Sequence, residues 1–145
     1  GFNSRLDSLQ AAFAEIKLEH LDAWNSRCHE IAEMYQHGLK ACVQVPVDQD
    51  WEECVYHNFV IRTEHRDKLM VHLDSHGVDT RVHYPIPIHM QDAARELGYN
   101  LGDFPNAEKY AKTMISLPIY PELSDTQVEY IIRAVKLFFD ESGNK

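Results

Sequence analysis

The sequence predicts an α+β fold, and three observations carry that prediction. Apolar residues recur at helical spacing near both ends of the chain. Two stretches in the middle are rich in β-branched and aromatic residues. These strands are too few for a large parallel sheet. With 145 residues the chain fits one domain that can bury a core.

The helices come first. Leu6, Leu9, Phe13 and Ile16 share one helical face, with Ala11 and Ala12 between them. Ser4 is the expected N-cap, and Asp7 falls in the first turn, where the helix dipole favours a carboxylate. A second stripe of Leu18, Leu21, Trp24, Cys28, Ile31 and Tyr35 runs to Gly38, a natural residue just past a helix end. One helix over 6–37 would be about 48 Å long, too long for this domain, so a bend is expected near 17–20.

The middle of the chain reads as strand, helix, strand. Residues 54–61 (CVYHNFVI) have strand composition. Residues 65–77 read as a short helix carrying Leu69 and Leu73 and closed by Gly77. Residues 78–84 alternate: Val78, Thr80, Val82 and Tyr84 face one way, and Asp79, Arg81 and His83 the other. Prolines stiffen 85–89. Helical patches follow at 90–97, 105–114 and 124–140, with Pro105 suited to a first helical position and Ser124 with Gln127 forming a capping box. Residues 116–121 form a short extended piece between the last two patches.

Charge and cysteines narrow the function. Fourteen basic and 23 acidic residues give a net charge of −9, which disfavours nucleic acid and anionic lipid as partners. No apolar run is long enough to span a bilayer, and no leader is expected ahead of Gly1. Cys28, Cys42 and Cys54 form no CxxC pair, so buried reduced thiols in a cytoplasmic setting are expected.

Few motifs carry chemistry on their own. His72 and His76 sit one helical turn apart, but no third ligand accompanies them, so solvated surface histidines are expected rather than a metal site. The segment RVHYPIPIH (81–89) sets Arg81, His83, Tyr84 and His89 on a strand end that enters a stiffened turn. That suits a binding site, while spacing alone is better met by a strand end with packed aromatics and exposed histidines. FNSR (2–5) is open in the same way: Asn3 and Ser4 cap a helix, or they form an anion site beside Arg5.

Five separated segments, GFNSRLDSLQAA, AEIKLEHLDAWNSR, RVHYPIPIHMQ, LGDFPNAEKYAK and SLPIYPELSDTQVEYII, together resemble the DegT/DnrJ/StrS group of pyridoxal-phosphate-dependent sugar aminotransferases. The resemblance covers nearly the whole chain. It implies an aspartate-aminotransferase type of fold, with interface and connecting helices over 1–39 and a small C-terminal domain over 40–145. That small domain would be a short, mainly antiparallel sheet packed by helices. The large cofactor-binding domain is expected to lie upstream of Gly1.

The resemblance also implies an activity: transfer of an amino group from an amino-acid donor, glutamate being the expected one, to a keto group of a nucleotide-linked sugar. It implies a homodimer in which Asn3 reaches the pyridoxal phosphate of the neighbouring subunit. His83 and Tyr84 would likewise be lent in trans to line the nucleotide-sugar pocket, Arg5 would meet an anionic part of the substrate at the same shared site, and His89 is carried over more weakly. The lysine that holds the cofactor is expected outside this stretch, so no catalytic residue and no metal ligand is assigned here. The chain alone is expected to be inactive and not to hold pyridoxal phosphate by itself. The alternative is a free-standing, non-catalytic binding or interaction module derived from the same family.

Overall fold

The break expected after the first apolar stripe is present. In the computed structural model, which describes residues 5–142, α1 (Ser8–Leu18) ends at a two-residue turn before α2 (Leu21–Leu39). The N-cap of α1 is Asp7, not Ser4. Its side chain accepts the Gln10 backbone N–H at 2.8 Å while Gln10 reaches back to the Asp7 N–H, a reciprocal box that starts the helix later than the apolar pattern alone suggests.

α1 buries none of its residues, and Leu6, Leu9, Phe13 and Ile16 stand 59–70% exposed. α2 behaves differently. Ile31, Ala32, Tyr35 and Leu39 are buried along its inner face. Gly38 does not end α2 but lies inside it, where a Cβ would come within 2.8 Å of the Ile132 side chain. Glycine at this position lets α2 lie close against α5 (Asp125–Ser142).

The sheet is a two-stranded antiparallel pair, β1 (Phe59–Arg62) and β2 (Met114–Leu117), with Phe59 opposite Leu117 and Ile61 opposite Ile115. Those four side chains face the core. Each edge is extended by a single bridge, Gln44 to Arg62 on one side and Arg81 to Ser116 on the other. The strand expected over 54–61 is therefore shorter than its composition suggests. Tyr56 turns into the left-handed region (φ 49°) with its hydroxyl accepting from Gln36 Nε2 at 2.9 Å, and this bends the chain before it enters β1.

The strand expected over 78–84 is reduced to its one bridge. β2 ends where Pro118, which lacks an N–H, follows Leu117, so little ladder remains for a longer partner.

α3 (Arg66–Ser75) closes as expected at Gly77 (φ 72°), with the Val78 N–H donating to the Leu73 carbonyl at 2.9 Å. Two 3₁₀ turns, Ile88–Met90 and Asp92–Leu97, replace the helix expected over 90–97. Pro105 opens α4 (Pro105–Thr113) as expected. Ser124 and Gln127 exchange both bonds of their capping box ahead of α5.

α5 contributes Val128, Ile131, Ala134 and Val135 to a core shared with α2, α3 and both strands. That core is one cluster in which residues of α2 pack with residues after position 40. Arg27 ties the N-terminal half of α2 to the start of α5, donating to the Leu123 carbonyl at 2.7 Å and to Asp125 at 2.6 Å. The cysteines are free, but Cys28 and Cys42 are only half-buried and Cys54 is exposed. No helix among the described residues is long and apolar enough to cross a membrane.

Candidate functional site

Alternation along β2 sends Ile115 and Leu117 into the core and Ser116 to the opposite face. Ser116 also carries the backbone bridge to Arg81, which brings the 81–83 segment alongside the strand. As a result the His83 ring lies over the serine, with Nδ1 2.8 Å from Ser116 Oγ. The second ring nitrogen, Nε2, makes no hydrogen bond among the described residues.

His83 and Ser116 form part of the wall of a cavity of about 520 Å³. The other walls come from His57 and Asn58 ahead of β1, from Asp79 and Arg81, and from Tyr120 and Tyr130 around the start of α5. Leu117, Ile119, Leu123 and Ile131 add apolar surface. The mix is a mostly apolar recess with a few polar groups that converge on it, as small-molecule sites have.

The polar groups at the cavity are held to different degrees. Tyr130 donates to the His76 carbonyl at 2.9 Å, which fixes its ring. Arg81 pairs with Asp79 at 3.0 Å, but both side chains are about 70% exposed, so the pair adds little stability and leaves Arg81 able to turn toward an anion. Behind the cavity, Tyr35 of α2 is fully buried and donates to the Pro118 carbonyl at 2.8 Å. Burial pushes its phenol well above the usual tyrosine range, so it stays a neutral donor that fixes the end of β2.

Of the five residues to which the resemblance gives a cofactor or substrate contact, the cavity holds one, His83, and Arg81, singled out with it from its segment, also lines the wall. Tyr84 follows it but points outward, 71% exposed, with its ring edge-on to His83 at 5.6 Å. His89 does not line the cavity. It is buried, with Nε2 3.1 Å from Glu108 Oε1 and its ring 4.8 Å from that of Phe104. Arg5 is exposed ahead of α1, and Asn3 lies outside the described residues.

The expected surface histidines are also revised. His72 Nε2 meets the Ala134 carbonyl at 3.0 Å and His76 Nδ1 the His72 carbonyl at 2.8 Å, so both are half-buried and locked to backbone. No group of three or more metal-ligating side chains is placed to hold an ion among the described residues.

Sequence reasoning missed Ser116, Tyr120 and Tyr130. They lie in segments remote from 81–89 and join His83 only through the β2 bridge and the placement of α5, and no local pattern signals that.

The family model for the DegT/DnrJ/EryC1/StrS aminotransferases matches residues 1–136. The chain is 44% identical over 138 residues to the erythromycin biosynthesis sensory transduction protein EryC1 of Saccharopolyspora erythraea, covering 94% of this chain and 38% of that protein. It is 43% identical over 138 residues to the dTDP-3-amino-3,4,6-trideoxy-alpha-D-glucose transaminase of Streptomyces venezuelae, covering 94% of this chain and 36% of that one. Among solved structures, S. venezuelae DesV in complex with a ketimine intermediate superposes with a TM-score of 0.92 at 42% identity, over 97% of this chain and 38% of that one. The chain thus spans well under half the length of the relatives it matches. With likeness in sequence and fold running along nearly its whole length, the chain belongs to the DegT/DnrJ/EryC1/StrS aminotransferase family.

Proposed function

We propose that this chain is the C-terminal segment of a pyridoxal-phosphate-dependent aminotransferase. The complete enzyme moves an amino group from an amino acid, glutamate in our reading, to a keto group of a nucleotide-linked sugar. The chain's own part is to bind and orient. His83 offers Nε2 to the substrate, Tyr84 presents its ring beside it, and Arg5 offers a forked donor to an anionic group. Asn3 reaches the cofactor phosphate of a second copy. The observation that carries this reading is the His83–Ser116 contact at 2.8 Å, which fixes the imidazole at the cavity wall with one nitrogen free.

When bound, pyridoxal phosphate supplies the electron sink for amino-group transfer. The residues present here do not fit the covalent part of its attachment. Lys17, Lys40, Lys68, Lys109, Lys112 and Lys136 are all exposed, and none lines the cavity. An amine that holds this cofactor works from a desolvated site, where its pKa can fall. We therefore assign no reacting group to this chain and read it as inactive alone.

The test is a titration of the chain with a dTDP-linked hexose, followed by NMR of the histidine side chains. The His83 Nε2 and Tyr84 ring signals should shift together and saturate, and His83→Ala should weaken binding about tenfold, the share of one well-placed hydrogen bond. Saturable shifts that leave both residues untouched would remove the substrate-binding role.

A further inference from the structure

His89 lies away from the cavity, yet it is among the few buried polar side chains. Its partner Glu108 is buried as well, and one carboxylate oxygen collects three contacts: the Gly102 N–H at 2.7 Å, the Phe104 N–H at 3.4 Å and His89 Nε2 at 3.1 Å. Facing a carboxylate, His89 Nε2 carries the proton and donates. The first turn of α4, the loop ahead of it and the start of the 3₁₀ turn at 88–90 are thereby joined at a single atom.

Between His83 and His89 the chain has no ladder. Its near end is held by His83 on Ser116 and by the backbone bridge of Arg81 to Ser116. Its far end is held by His89 on Glu108. In between, Tyr84, Ile86 and Ile88 are 71%, 54% and 81% exposed at alternate positions, and Pro85 and Pro87 fix the backbone between them. Within the ribbon the Ile86 carbonyl accepts from Gln91 Nε2 at 3.3 Å, and the prolines set its φ angles, so what holds its two ends decides where the exposed side chains stand.

We infer that His89 and Glu108 are positioning residues that hold the far end of the 84–88 ribbon, so that Tyr84 is presented beside His83. The inference rests on the proposed substrate role of Tyr84 only for its consequence; the anchoring itself is a property of the fold. It also gives His89 a part that needs no contact with a ligand.

Hydrogen exchange on the whole chain tests it without any ligand. The reporters are the Met90 and Gln91 amides, which donate to the Pro87 and Ile88 carbonyls at 2.9 and 3.2 Å. Glu108→Ala should speed their exchange about tenfold or more while the β1–β2 ladder keeps its protection. Glu108→Gln keeps an acceptor oxygen and should restore slow exchange, and His89→Ala should reproduce the Glu108→Ala pattern. Affinity for the dTDP-linked hexose should fall in both alanine variants and recover in Glu108→Gln. Unchanged exchange at 90 and 91 in both alanine variants, or acceleration shared equally with the ladder, would overturn the anchoring.

Discussion

Replacing Gly38 by alanine sets two opposed effects against each other, and the geometry says which is larger. Alanine is the better helix former, worth roughly 0.5–1 kcal/mol inside a helix and least near an end. Gly38 is one residue short of the end of α2, so about 0.5 kcal/mol is the expected gain. Against this, the added methyl would lie 2.8 Å from Ile132 Cδ1, 2.8 Å from Cγ2 and 3.2 Å from Cγ1. Rotating Cδ1 away does not help, because Cγ1 and Cγ2 both hang from a branched Cβ with a stiff χ1. The α2–α5 seam must open instead, and such overpacking costs roughly 1–3 kcal/mol. The net expectation is a loss of about 1 kcal/mol, read from urea denaturation followed by helical circular dichroism. In an Ile132→Ala background the clash is gone, and the same substitution should stabilise by about 0.5 kcal/mol. A Gly38→Ala chain as stable as the parent would refute the close approach and, with it, the placement of α5 that brings Tyr130 and Ile131 to the cavity.

Two further outcomes are expected. The Gly102 N–H, and behind it the Phe104 N–H and His89, outweigh burial and hold the Glu108 carboxyl below the usual carboxylate range. Its contribution is therefore complete above the unfolded-state value near 4.3 and is lost as pH falls through the lower folded-state value. Thermal melts between about pH 3 and pH 6 should show a steeper acid loss for the parent than for Glu108→Gln, and parallel curves would count against the carboxylate contacts. The apolar stripe of α1 should drive self-association as a symmetric dimer; Leu9→Glu with Phe13→Glu should shift sedimentation toward monomer, and a parent chain that is monomeric at high concentration would refute the expectation.

Much of the helical skeleton was legible because its signals are local. Pro105 and the Ser124–Gln127 box act within one turn of chain, and Gly77 closes α3 through its own φ, whereas the cap of α1 fell to Asp7 rather than the expected Ser4. The strands were less legible. β-branched composition marks residues able to lie in a sheet, but the number that pair is set by the partner, and β2 is only four residues long. The kink at Tyr56 depends on Gln36, 20 residues away, and nothing nearby in the sequence announces it. Gly38 looked like a helix stop because glycine serves both as a terminator and as a point of close approach, and only the position of Ile132 separates the two. The site divided in the same way. His83 was readable from its segment, whereas the burial of His89 required knowing where α4 lies.

The buried polar groups indicate what kind of contribution the chain makes. Tyr35, Tyr56 and Glu108 have their ionisation displaced, the two phenols upward mainly by burial and the carboxyl downward mainly by the Gly102 N–H. Displaced groups of this sort often mark a catalytic centre. Here each has a different use: Tyr35 holds the carbonyl of Pro118, Tyr56 accepts from Gln36 across the bend into β1, and Glu108 gathers the loop ahead of α4. Tyr35 and Glu108 fix backbone that borders the cavity or the ribbon beside it, and Tyr56 pairs side chain to side chain at the bend that leads into β1. No buried side-chain N or O is left without a hydrogen bond among the described residues. On the binding role proposed above, contacts that fix the cavity wall and the ribbon beside it would serve to hold a substrate still. Destabilising Tyr35 or Glu108 in a complete enzyme should accordingly weaken substrate binding and orientation before it alters any proton transfer.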